Sequence, residues 1–135
     1  MVREFRFKGY SSDQLEALSV EALLPILNAR QRRSLDRRVG NYMNDEKRKL
    51  REEIKLFREG RGKGPLKTHV RDMIILPDMI GLSISVHNGK EFSPVTVRAE
   101  MVGHYLGEYS LTNRRVQHGA PGVGSSRSSL YVPLK

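Results

Sequence analysis

The spacing of apolar residues changes along the chain, and each change marks an element. Ser11-Ser12-Asp13-Gln14 opens the first patterned stretch as a capping box, with Ser11 and Gln14 three apart. Leu15 and Leu18 then form a one-sided stripe, Ser19 caps a second short turn, and Leu23, Leu24, Ile26 and Leu27 continue the apolar face. Pro25 breaks or kinks this run, because proline has no N–H and its ring clashes with the preceding turn. The pattern predicts two or three short helices through about residue 38.

A longer helix is predicted over 45–59. Asn44 caps it, Asp45 and Glu46 fill the first turn, and Gly60 stands just past the end. Leu50, Ile54 and Phe57 draw a narrow apolar stripe at helical spacing, suited to packing. Gly60-Arg61-Gly62-Lys63-Gly64-Pro65 follows as a linker between two halves. Its glycines and cations suit either a flexible basic linker or a close backbone approach to phosphate. It is no Walker loop, since Gly64 and not Ser or Thr follows Lys63.

Beyond the linker the period shortens. Met73-Ile74-Ile75-Leu76 is a short apolar run, strand-like or simply buried, closed by Pro77. Leu82 to Val86 alternates with period two, His87-Asn88-Gly89-Lys90 turns, and Phe92 to Val97 returns. Asn-Gly between alternating runs predicts a hairpin. A three-residue loop, His87 to Gly89, would set Ile84 opposite Phe92, apolar against apolar. That favours a type I turn with a bulge at Gly89. Pro94 cannot donate to a ladder and belongs at an edge. Residues 98–111 predict a helical turn and loop whose Met101, Val102 and Leu106 pack on one sheet face.

Charge then supplies the functional signal. Lys and Arg number 24 against 15 Asp and Glu, a net charge of +9 on 135 residues. Such an excess on a small chain points to a polyanionic partner, nucleic acid before a membrane surface. Hydrophobic residues make up 38%, below the roughly 45–50% of ordinary domains. Part of the chain is therefore expected to need an outside surface to order it. The arginine-rich run RQRRSLDRR at 30–38 suits bidentate phosphate contact, which makes Arg32 and Arg33 candidate RNA ligands; a solvated helix end is the alternative. After Glu108 the last 27 residues hold no acid, and the Gly/Ser/Pro-rich stretch from 119 cannot bury enough surface to fold alone. A basic extended tail that orders on RNA is the expectation.

Several chemistries have no support. Cysteine is absent, which removes disulfides, thiol catalysis and Cys-based zinc sites. The four histidines, His69, His87, His104 and His118, lack metal-ligand spacing. No nucleophile elbow or dinucleotide fingerprint occurs, so no enzyme, no cofactor and no metal site is expected. The charged N-terminus lacks the apolar region of a signal peptide, and no apolar run approaches the roughly 20 residues of a membrane span. A soluble, cytoplasmic protein is expected.

Three blocks now carry a resemblance. KTHVRDMIILPDMIG at 67–81 is similar to the "KT…R…ILPEMVG" block of the universal small-subunit ribosomal protein number nineteen family. VHNGK at 86–90 resembles its hairpin, and MVGHYLGEY at 101–109 resembles its "MVGHKLGEF" block. The long segment before Gly60 and the tail through Tyr131-Val132-Pro133-Leu134-Lys135 resemble the archaeal and eukaryotic branch, with an archaeal source expected. The resemblance implies an α+β fold: a small three-stranded sheet with a β-hairpin and short helices. It divides the chain into a helical N-terminal extension at 1–62, an RNA-binding core at 63–112 and a basic tail at 113–135.

It also implies a function. Members bind the 3′ major domain of small-subunit ribosomal RNA in the head, pair with ribosomal protein thirteen, neighbour other head proteins, and extend a tail toward tRNA near the decoding region. Carried across by motif, Lys63, Lys67, Thr68, Arg71, His87, Asn88, Lys90 and His104 become expected RNA contacts, joined by Arg114, Arg115 and His118. Tyr105 stands where the family usually has a cation, and a ring there can stack on a base or sugar. The competing readings are a free-standing RNA-binding or assembly protein, and a protein-interaction module docking through the helices of 11–29.

Overall fold

A computed structural model of the chain describes residues 4–35, 44–119, 121–122 and 125–126. Arg37, Arg38, Arg127 and Lys135, which belong to the basic runs noted above, lie outside the described residues.

Three short helices come first: α1 (Ser12–Ala17), α2 (Val20–Leu23) and α3 (Ala29–Leu35). The capping box closes as expected. The Ser11 hydroxyl oxygen accepts from the Gln14 N–H, and the Gln14 side chain accepts from the Ser11 N–H. Ser19 caps α2 through the Ala22 N–H, and α2 stops at Leu23 ahead of Pro25. Helix α4 (Asp45–Arg58) starts on an Asn44 side chain that accepts from the Lys47 N–H. It ends in a Schellman motif: the Gly60 N–H donates to Phe57 O at 3.1 Å and the Arg61 N–H to Leu56 O at 2.9 Å. Gly60 supplies the left-handed φ of +72° that this ending demands.

The sheet has the order β1-β2-β3. Strand β1 (Leu66–Thr68) runs parallel to β2 (Ser83–His87), and β3 (Phe92–Thr96) returns antiparallel. The hairpin register corrects the bulged-turn expectation. Ile84 faces Val95 and His87 faces Phe92, so the turn is a two-residue one at Gly89-Lys90, and the partner of Ile84 lies three residues beyond the expected Phe92. The cause lies in the Asn88 side chain, whose Oδ1 accepts from both the Lys90 N–H (3.0 Å) and the Glu91 N–H (2.9 Å). Gly89 takes φ +100° at the first central position, as primed hairpin turns require. This register still matches apolar with apolar, because Ile84 and Val95 are both buried.

Alternation then gives the sheet two unlike faces. Leu66, Ile84 and Val95 form one row across the inner face. Against it pack Leu15, Leu23 and Leu27 from the N-terminal helices and Leu50 and Ile54 from α4, all in one core cluster. The helices before residue 62 thus share their core with the sheet. Each such fully buried Leu or Ile brings about 1.5–3 kcal/mol.

The apolar run 73–76 is buried, but it lies outside the sheet. It pairs instead with 103–107: the Ile75 N–H donates to His104 O, Gly103 N–H to Ile75 O, Leu106 N–H to Met73 O and Gly107 N–H to Arg71 O. Short 3-10 turns at Pro77–Met79, Ala99–Met101 and Leu106–Tyr109 complete this half. Of Met101, Val102 and Leu106, all expected on one sheet face, Leu106 joins the core cluster and Met101 packs against it, while Val102 is buried outside that cluster.

Candidate nucleic-acid interface

The expected RNA ligands fall into separate groups once the fold places them. On the outer face of the sheet the register aligns His87 with Phe92, and Lys67 with Ser85 and Pro94. His69, one step beyond β1, completes the His87 row. Its ring lies 4.4 Å from the His87 ring and 5.1 Å from that of Phe92, and His87 is 5.0 Å from Phe92. The Lys67 ammonium stands 5.5 Å from the centre of the Phe92 ring.

The hairpin tip is built from its own side chains. His87 Nδ1 accepts from the Gly89 N–H at 3.0 Å, and Asn88 Oδ1 holds the turn as described. These acceptors are committed to the backbone, which leaves Lys90 as the exposed cation of the tip. Lys63 is exposed on the linker and lines a hollow of about 360 Å³ with Glu53, Phe57 and Lys67. Gly62 lies flat on the Phe57 ring, where an added Cβ would sit 2.5 Å from a ring carbon.

Two expected contacts point into the fold. Thr68 is buried, and its hydroxyl oxygen accepts from the Val70 N–H at 3.0 Å. Arg71 is half-buried, and its guanidinium donates to three backbone carbonyls, those of His87, Gly107 (2.9 Å) and Ser110. One planar fork thereby ties the end of β2 to the 107–110 segment. A rigid multi-donor group suits that task, and an ammonium does not.

On the other flank, His104 Nδ1 lies 2.7 Å from Glu108 Oε2, and the pair is exposed. Arg30, Ser34, Arg71, Asp72, Tyr105 and Glu108 line a cleft of about 590 Å³ between α3 and the paired loops. Arg32 and Arg33 are exposed on α3, and Arg114, Arg115 and His118 are exposed on the stretch after Ser110. The fold therefore brings Lys67, His87 and Lys90 to one sheet face and its hairpin tip. It sets His104 on another flank and Arg32 and Arg33 on a helix of their own.

Sequence reasoning missed two groups. Lys47 sits three residues before Leu50 on the apolar stripe of α4, so its stem enters the core, 4% exposed, and its ammonium pairs with Asp72. The helical period alone was the available signal. Asp78, after Pro77, is the second. Burial pushes its carboxyl above the ordinary range, against the pull of Arg51, Arg58 and Lys55 on α4. Both Asp78 Oδ1 and Arg51 Nε are buried without a hydrogen-bond partner.

The described residues hold no group of three or more His, Cys, Asp or Glu able to hold a metal ion. None of their helices is long and apolar enough to cross a membrane.

Comparison with known proteins bears on the same blocks. A match to the family "Ribosomal protein S19" spans residues 37–118. The chain is 59% identical, over all 135 residues and the whole of the relative, to small ribosomal subunit protein uS19 of Nitrosopumilus maritimus (strain SCM1). It is 54% identical, again over both full lengths, to small ribosomal subunit protein uS19 of Cenarchaeum symbiosum (strain A). On three motif blocks, the α+β fold that positions them and full-length likeness to two archaeal relatives, the chain belongs to the archaeal branch of the ribosomal protein S19 family, whose members are structural components of the ribosome and not enzymes.

Proposed function

We propose that this chain is a structural component of the cytoplasmic small ribosomal subunit. It binds small-subunit ribosomal RNA of the 3′ major domain, in the head, beside ribosomal protein thirteen and other head proteins. The observation that carries this reading is the likeness over the complete chain, helices and tail included, to two small-subunit proteins. Exposed cations on several flanks give it physical support, since a net charge of +9 favours an extended polyanion as partner.

Lys63, Lys67 and Lys90 neutralise phosphates around the sheet, and Arg32 and Arg33 do so from α3. His87 and Asn88 shape the tip and present their remaining polar atoms, while His104 contacts RNA from the opposite flank. Thr68 and Arg71 serve the interface from behind, by holding the backbone that displays the others. The tail, at 113–135, orders on RNA through Arg114, Arg115 and His118 and runs toward tRNA near the decoding region. Each neutralised phosphate releases counterions, for a salt slope of about 0.7–0.9 logarithmic units. Binding reads RNA shape more than base edges. The chain acts by architecture, without catalysis or cofactor.

Sucrose-gradient sedimentation of a lysate at low and high salt, probed for this chain, tests the reading. Co-migration with small subunits that persists in high salt is the expected result. Release into light fractions overturns it in favour of a transient RNA-binding factor. Small-subunit association that survives nuclease treatment of the RNA would point instead to a protein-docking module.

A further inference from the structure

The outer face of the sheet is unlike the other basic surfaces of this chain. It carries a compact cluster of three rings, His69, His87 and Phe92, contributed by the three strand lines of the sheet, each 4.4 to 5.1 Å from the other two, with Phe92 meeting both imidazoles edge-on. Phe92 is 36% exposed, so the cluster presents part of an apolar ring to solvent. Lys67 stands over that ring. The neighbouring outward positions, Ser83, Ser85, Pro94 and Thr96, are small or neutral. The strand positions of this face hold no acid. Glu46 and Glu53 of α4 line a hollow beyond β1 with Lys67 and His69, which bounds the surface on that side.

We propose that this face is a stacking platform for one or two unpaired nucleotides of RNA. The inference rests on the RNA-binding reading above and adds what that reading lacks, the state of the RNA it takes. A duplex offers phosphates to scattered cations but keeps its base faces covered. An exposed aromatic cluster with a cation over one ring fits the opposite case, a splayed base that takes the place of the Lys67 ammonium on the Phe92 face and offers it a phosphate. The rigid tip supports the geometry: His87 is fixed through its Nδ1 acceptor and Phe92 through its cross-strand pairing, so the platform exists before the ligand arrives. Charge selects the occupant, because Lys67 and Lys90 favour a polyanion over a basic or neutral peptide.

The test uses the full chain and an unpaired A-rich RNA of about 10 nucleotides carrying 2-aminopurine, within the usual range of single-strand site sizes. A duplex of the same length serves as comparison. Stacking quenches 2-aminopurine, so the wild-type chain is expected to quench the single strand and not the duplex. Phe92→Ala is expected to abolish quenching and to weaken single-strand binding by roughly fivefold to a hundredfold, the usual range for loss of one base stack. Phe92→Tyr keeps a ring and is expected to retain both; an unchanged circular-dichroism melt shows that the variants fold. Equal quenching by wild type and Phe92→Ala overturns the inference, as does wild-type binding without quenching. A Phe92 surface covered by protein in isolated small subunits, seen as a protein–protein and not an RNA cross-link at that residue, also overturns it. These failures are separable from failure of the parent reading. A chain that sediments with salt-washed subunits yet shows no stacking sinks only the platform, whereas a chain absent from subunits sinks the reading beneath it.

Discussion

Arg71 offers the sharpest separation between an RNA contact and a part of the fold. Its half-buried guanidinium donates to the carbonyls of His87, Gly107 and Ser110. A hydrogen bond from a charged donor contributes about 1.5–3 kcal/mol, and water can replace part of each bond at a half-buried site. Arg71→Ala is therefore expected to cost about 3–4 kcal/mol, much of it from carbonyls left under-satisfied. That is a large share of the roughly 5–15 kcal/mol that holds a domain together. For a chain of this size it corresponds to a fall in Tm of roughly 10–15 °C. Arg71→Lys should recover only a fraction, because one ammonium cannot span three carbonyls set for a planar fork. Arg48→Ala is the control. Its side chain is 63% exposed and only 3.8 Å from Asp45, so its melt should stay near that of wild type. Far-ultraviolet circular dichroism of the purified chains reads all three, without RNA. If Arg71→Ala melts within about 3 °C of wild type while its RNA affinity collapses, Arg71 is a surface contact and the clamp assigned to it is wrong.

Two further perturbations test the packing around this clamp and beneath α4. An added Cβ at Gly107 would sit 3.0 Å from Arg71 O and 3.1 Å from Arg71 Cβ, so Gly107→Ala must move backbone and is expected to cost about 1–3 kcal/mol in urea unfolding; a neutral result would mean the loops yield freely. Asp78 behaves in the opposite sense. Its pKa is raised in the fold, so its stabilising contribution is full below the ordinary carboxylate value of 3.8 and is lost as pH rises through the folded value. Asp78→Asn should therefore raise the melting temperature at pH 7 and remove that part of the decline in stability on going from acid to neutral pH. A lower melting temperature for the variant at pH 7 would show that attraction to Arg51 and Arg58 outweighs burial.

The caps, the helix of 45–59 and the existence of the hairpin were legible in the sequence because their causes are local. Ser11, Ser19 and Asn44 bond to N–H groups three residues away, and Gly60 answers a conformation set by its own turn. The three motif blocks were legible for a different reason, as a resemblance. Tertiary structure decided what depends on partners distant along the chain. The parallel pairing of β1 with β2 joins Leu66 to Ile84 across a loop that shows no period. The turn centre is a local exception: Asn88 spends its side-chain oxygen on two N–H groups two and three residues on, a choice among turns that the Asn-Gly pair alone does not disclose. That register set His87 opposite Phe92 and brought the ring cluster together. The role of Arg71 in the fold followed the same rule. The family motif implied an RNA contact there, and the carbonyls of residues 87, 107 and 110 converge on its guanidinium only after the chain has folded. Charge and period are properties of a sequence, whereas which donor meets which acceptor is a property of the packed chain.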